Sequence, residues 1–151
     1  MRQTISLKGT FMIKELITDT DILSTPCQAA TPEDVADAQD LVDTLASLED
    51  AACLAANQIG VTKKIVAYKD PEDNIHVIYN PKLQQGLHAS KMEEECLTLE
   101  GVVSKVKRFG WIKISWEEPK DGTMISHKQE FTGWYAEIIQ HMIDHCNGKL
   151  V

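Results

Sequence analysis

The segment GWYAEIIQHMIDHCNG, residues 133–148, constrains the fold more than any other part of the chain. It reads as a helix closed by Gly148, because a glycine just past the last turn is the usual stop. His141 and His145 stand four apart on it, so they share a face about one turn from each other and can reach a single ion. Such a pair also arises by chance on amphipathic helices, so a third ligand is needed before it means a metal. In hydrolases built on H-E-x-x-H, the Glu after the first histidine moves protons for the metal's water. Here that position is Met142. The segment alone leaves open a metal hydrolase, a metal binder without its chemistry, or a helix whose histidines bind nothing.

Ahead of this helix the chain is β-rich. KKIVAY, NIHVIYNP and GWIKISWEE read as strands, and PKDGT followed by MISHKQEF reads as a hairpin around Asp121-Gly122. A second helix is signalled at TPEDVADAQDLVDTLASLED, with Thr31 as N-cap, Pro32 at the first helical position and Glu33 and Asp34 in the first turn. Val35, Ala38, Leu41, Val42, Leu45 and Leu48 would form its apolar, core-facing stripe. The architecture expected is α+β, with mostly antiparallel strands packed around a C-terminal helix that carries the histidines. No repeat, low-complexity tract or linker interrupts the chain, so 151 residues read as one domain, with 1–12 as an N-terminal extension.

Charge narrows the partners. At net −8 and with no basic tract, the chain is a poor match for nucleic-acid phosphates or an anionic membrane surface. No window approaches the ~18 apolar residues of a membrane span, and the first residues lack the apolar run of a signal peptide, so a cytoplasmic location is expected. Cys27, Cys53, Cys96 and Cys146 are scattered and form no C-x-x-C pair; reduced thiols are the expectation.

The third ligand comes from EEECLTLEG, residues 93–101, and with it the sequence resembles the peptide deformylases in three places along nearly its whole length. AACLAANQIG matches the family's G-x-G-x-A-A-x-Q box at Ala55, Ala56 and Gln58; EECLT matches its E-G-C-L-S box at Glu94, Cys96 and Leu97; QHMIDH matches its Q-H-E-x-D-H box at Gln140, His141, Asp144 and His145. All three boxes occur in the family's order.

The resemblance implies a site in which Cys96, His141 and His145 hold one divalent ion, Fe2+ or Zn2+, with an open position for water. It implies an N-formyl-methionyl peptide or nascent chain as ligand, with the side chain of Gln58 and the backbone N–H of Leu97 holding the oxyanion. It also implies a buried ion pair at Glu94 and a supporting, non-ligating role for Asp144. The departures cluster at the same site. Met142 cannot carry a proton, and since general acid–base catalysis contributes roughly 10²–10⁴-fold, its loss should raise the barrier by about 3 to 5 kcal/mol. Ala51 and Cys53 stand for two glycines of the first box and Glu95 for the glycine before Cys96, so side chains enter a groove where backbone would otherwise approach closely. Asn57, in place of a common Pro, is a milder change.

The reading that best accommodates these departures is a metal-binding protein of this kind with lost or strongly impaired deformylation. The alternatives are an active deformylase or related amide hydrolase with a substitute base, for which Glu95 and Cys53 are candidates, and a structural domain with an empty site. Strand alternation argues against Glu95, since it should point away from the face used by Cys96.

Overall fold

The structure is a computed structural model that describes residues 12–99 and 101–151. Nearly all of the extension read at residues 1–12 therefore lies outside the described residues. Five strands form one antiparallel sheet in chain order: β1 (Cys53–Ala55), β2 (Ile65–Lys69), β3 (Ile75–Glu95), β4 (Val103–Lys120) and β5 (Thr123–Thr132). Among the described residues three α-helices accompany them: α1 (Thr20–Leu23), α2 (Val35–Ser47) and α3 (Gly133–Cys146).

Strand β2 shows why the layers stack as they do. Its first four residues are all buried, so this apolar run must be covered on both faces. Val66 and Tyr68 point into a cluster with Ile138, Ile139 and Met142 of α3, whereas Ile65 and Ala67 point into another with Ala38, Leu41 and Leu45 of α2. Period-two alternation thus sends one strand into two cores, with α3 on one face and α2 on the other.

The start of α2 is as expected. Thr31 and Asp34 form a reciprocal capping box around a short 3₁₀ turn at Pro32–Asp34. One stripe residue is misplaced in the sequence reading: Val35 is 53% exposed. The 3₁₀ turn breaks the helical phase there, so the buried face starts at Ala38 and is shared with Asp43 and Thr44, whose side chains accept from the backbone N–H groups of Met12 and Lys14.

The strand lengths depart most from expectation. NIHVIYNP is only the start of β3, which runs on past Pro81 to Glu95 beside β4. Pro81 is tolerated because the register shifts between Tyr79 and Lys82, where a missing N–H costs no ladder bond. From Lys82 to Glu93 nearly every residue is exposed or half-buried, so no apolar alternation marks the strand. The turn at Asp121-Gly122 is the two-residue hairpin expected, with positive φ at both positions and Lys120 paired to Thr123.

Candidate metal centre and cavity

Helix α3 is fixed at both ends and along its length, and that sets the two imidazoles. At its C-terminus Lys149 N–H donates to the Asp144 carbonyl (2.9 Å) and Gly148 N–H to that of His145 (3.0 Å), the paired bonds of a Schellman stop. Gly148 has φ +76°, and a Cβ there would lie 2.6 Å from the Ser24 carbonyl oxygen, so only glycine closes the helix against that loop. Asn57 Nδ2 also donates to the His145 carbonyl (2.9 Å), so the position that looked like a mild departure ties the first box to the end of α3. Midway, the Gln140 amide accepts from Phe109 N–H (2.9 Å) and donates to the Phe109 carbonyl (2.8 Å), docking α3 on β4.

On this scaffold His145 Nε2 lies 3.1 Å from His141 Nε2 and 3.3 Å from Cys96 Sγ, and the three ligand atoms all lie within 4.8 Å of one another. All three residues are buried, His145 completely. Alternation puts Cys96 there: at the end of β3 and just beyond it, Glu94, Cys96 and Thr98 turn inward while Glu93, Glu95 and Leu97 turn outward. The donor set fits a cation. Metal–ligand bonds of ~2.0–2.3 Å in a tetrahedron place ligand atoms roughly 3.3–3.6 Å apart, close to the two separations from His145 Nε2.

The charges agree. Burial opposes ionisation of Cys96, but hydrogen bonds from His141 and His145 outweigh it and bring the thiol down to about 5. Burial likewise opposes charge on His141, yet its bonds to Cys96 and Glu94 raise it to about 9. Glu94 accepts from His141 Nδ1 (2.7 Å), which leaves Nε2 facing the other two donors.

Arg108 is the site residue that sequence reasoning missed. Its Nε and Nη2 donate to both oxygens of Glu94 (2.9 and 2.7 Å), and Nη1 donates to Asp144 (2.8 Å). One guanidinium on β4 therefore ties β3 to α3 behind the histidines. Burial raises the Glu94 carboxyl, but the bonds from His141 and Arg108 hold it at about 2. Arg108→Ala would take the guanidinium from two carboxylates, one of them the buried Glu94; we expect a loss of about 3–5 kcal/mol in unfolding free energy, read by urea denaturation. A loss under about 1 kcal/mol would show that the pair is not structural.

In front of Cys96 and His141 opens a cavity of about 630 Å³, lined also by Gln58, Leu97 and Met142 among others. Ala51, Cys53 and Glu95 line it too. Gln58 donates from Nε2 to Cys96 Sγ (3.2 Å) and Thr98 Oγ1 (3.3 Å), while its Oε1 accepts from Ala55 N–H (2.8 Å). Leu97 is 46% exposed at the mouth. Met142 is only 2% exposed and packs into the α3-side core. Neither suggested substitute base joins the donors: Glu95 is exposed on the outward face of its strand, and burial pushes the half-buried Cys53 thiol up to about 12.

Known proteins share both the sequence and this architecture. The profile of the polypeptide deformylase family matches residues 13–151. The peptide deformylase of Clostridium beijerinckii is 36% identical over 141 residues, covering 93% of this chain and all of that protein. The crystal structure of the Thermus thermophilus peptide deformylase superposes with a TM-score of 0.78 at 23% identity, covering 92% of this chain and 83% of that one. A Synechococcus elongatus peptide deformylase, solved in complex with actinonin, gives 0.74 at 26% identity over 98% and 80% of the two chains. An Acinetobacter baumannii structure with Met-Ala-Ser bound gives 0.76 at 22% identity over 93% and 96%. With a family profile that spans residues 13–151 and a relative 36% identical over its whole length, this chain belongs to the peptide deformylase family.

Proposed function

We propose that this chain binds one divalent ion, Fe2+ or Zn2+, through Cys96, His141 and His145, takes N-formyl-methionyl peptides or nascent chains in the adjoining cavity, and removes the formyl group only slowly. The observation that carries this reading is Met142. It is a buried thioether in the cavity wall, next in sequence to His141, in a position where the chemistry calls for a proton carrier.

When bound, the ion would lower the pKa of a water and polarise the formyl carbonyl. Glu94, itself fixed by Arg108, orients His141 through Nδ1. Asp144 supports the arrangement from the far side of Arg108 rather than as a ligand. Gln58 and Leu97 line the cavity, which supports the Gln58 amide, turned from Cys96 and Thr98, and the Leu97 backbone N–H as donors for the oxyanion that would form when water adds. Ala51, Cys53 and Glu95 narrow the groove along which a peptide would lie. The peptide ligand is favoured by the Met-Ala-Ser complex of the Acinetobacter relative. The acidic surface and the lack, among the described residues, of a helix able to cross a membrane favour work in the cytoplasm without nucleic acid or lipid.

The test is turnover of formyl-Met-Ala-Ser by the metal-loaded protein beside the Clostridium beijerinckii relative in the same metal form. We expect a rate lower by roughly 10²–10⁴-fold at comparable peptide binding. Equal rates would refute the impairment, and failure to bind the peptide at millimolar concentration would refute the ligand.

A further inference from the structure

We propose that Asn57 is the positioning residue of His145: its Oδ1 takes up the Nδ1–H of that imidazole through one buried water, and so holds the tautomer whose Nε2 lone pair faces the ion. The inference rests on the proposed metal site and adds to its three ligands a residue that the site depends on.

Asn57 and Gln58 are neighbours in a short 3₁₀ turn, Ala56–Ile59, that is buried throughout. From this turn Gln58 Nε2 reaches Cys96 Sγ (3.2 Å) and Asn57 Nδ2 donates to the His145 carbonyl (2.9 Å), so one turn braces two of the three ligands. The Asn57 amide can stand only one way round. A carbonyl accepts and never donates, so Nδ2 must face it, and Oδ1 is left to find another partner.

It finds none within the protein. Among the described residues only two buried side-chain polar atoms lack a hydrogen bond, Asn57 Oδ1 and His145 Nδ1. They belong to the two residues already joined at the His145 carbonyl, and both residues are completely buried. The pairing has a chemical reading. His145 Nε2 lies 3.1 Å from His141 Nε2 and 3.3 Å from Cys96 Sγ, so it is the nitrogen that would ligate, and a ligand nitrogen must offer its lone pair. The one proton of the neutral ring then sits on Nδ1, a donor sealed from solvent, while the unclaimed Asn57 oxygen is an acceptor. Since the two are not bonded directly, a single water that accepts from Nδ1 and donates to Oδ1 completes both; buried waters sit where polar groups would otherwise go unmet. His141 is held in the same sense by a different device, its Nδ1 lying 2.7 Å from Glu94 Oε1. A proline at position 57, the residue common there in the family, has no side-chain donor or acceptor and could do neither task.

The test uses the full chain, with Zn2+ affinity measured by competition with a chelator and the histidine rings followed by 15N magnetic resonance. In the zinc-loaded parent, His145 should carry its proton on Nδ1 and show it as a signal in slow exchange with water. Asn57→Leu, close in volume but unable to bond, should bind Zn2+ roughly 10–100-fold more weakly and lose that slow exchange. Asn57→Asp keeps the acceptor and loses only the Nδ2 donor, so it should hold Zn2+ at least as tightly as the parent, to within about threefold. Without metal both variants lack the bond to the His145 carbonyl and should melt below the parent. An Asn57 that is merely structural would weaken Zn2+ binding alike in both variants, in step with melting, and that result overturns the proposal. So does a zinc-loaded parent whose His145 Nδ1 bears no proton or exchanges it freely, a measurement that stands even if neither variant folds. A parent that takes up no Zn2+ overturns the metal site along with this proposal, and is recognised before any variant is compared.

Discussion

Met142→Glu is expected to speed deformylation of formyl-Met-Ala-Ser by roughly 10²-fold or more over the parent in the same metal form. Residue 142 is held on a helix whose turn already presents both imidazoles, and α3 is pinned by Gln140, Asn57 and the Gly148 stop, so the new carboxylate arrives on a rigid backbone. Met and Glu side chains are of similar length and flexibility, so the space left by the thioether can take the carboxyl without opening the α3-side core. Burying a carboxylate costs stability unless it is paired, and an ion held by Cys96, His141 and His145 would supply positive charge close by. The groove is a separate matter. Cys53 and Glu95 line the same cavity, and if they block the peptide, activity returns only when Cys53→Gly and Glu95→Gly accompany Met142→Glu. Peptide affinity separates the two defects, because a proton carrier changes the rate and a cleared groove changes binding. A parent that already matches the Glu variant would show that Met142 disables nothing.

What could be read in advance was local. The four-residue histidine spacing, the glycine stop, the Thr31 cap and the Asp121-Gly122 turn each depend on neighbours within a few positions, and each is found where the sequence puts it. Cys96 was legible only through the three-box resemblance, since nothing in its own neighbourhood distinguishes a ligand from a small buried hydrophobe. The far half of β3 was illegible because its residues are exposed on both faces and leave no apolar period. The partners of Arg108, Asn57 and Gln140 were illegible for another cause. They lie far off in the chain: Arg108 bonds Asp144 across 36 positions, and Asn57 bonds His145 across 88. A lone arginine in a strand of mixed charges gives no hint that two carboxylates will close on it.

Cys96→Ala should abolish metal binding in a protein that otherwise carries close to one divalent ion per chain. The thiolate is the only anionic donor among the three, and without it two neutral imidazoles 3.1 Å apart must hold the ion alone. Loss of a group that merely orients a ligand costs roughly 10–100-fold in affinity, so loss of a ligand should cost more than about 10²-fold. The effect is read as metal content after anaerobic loading, and as the disappearance of the metal-dependent rise in Tm seen for the parent. The parent's affinity should also follow pH in a set direction. Cys96 is already ionised above about 5, so it gives up no proton to the metal at neutral pH; His141 holds its proton up to about 9 and must release it. Apparent affinity should therefore climb about tenfold per pH unit from neutrality and level off near pH 9, with about one proton released per ion bound. Flat affinity over that range would mean that His141 has no proton to release when the ion binds. A parent that contains no metal and takes none up would mean that Cys96, His141 and His145, close as they stand, are only a buried hydrogen-bonded cluster.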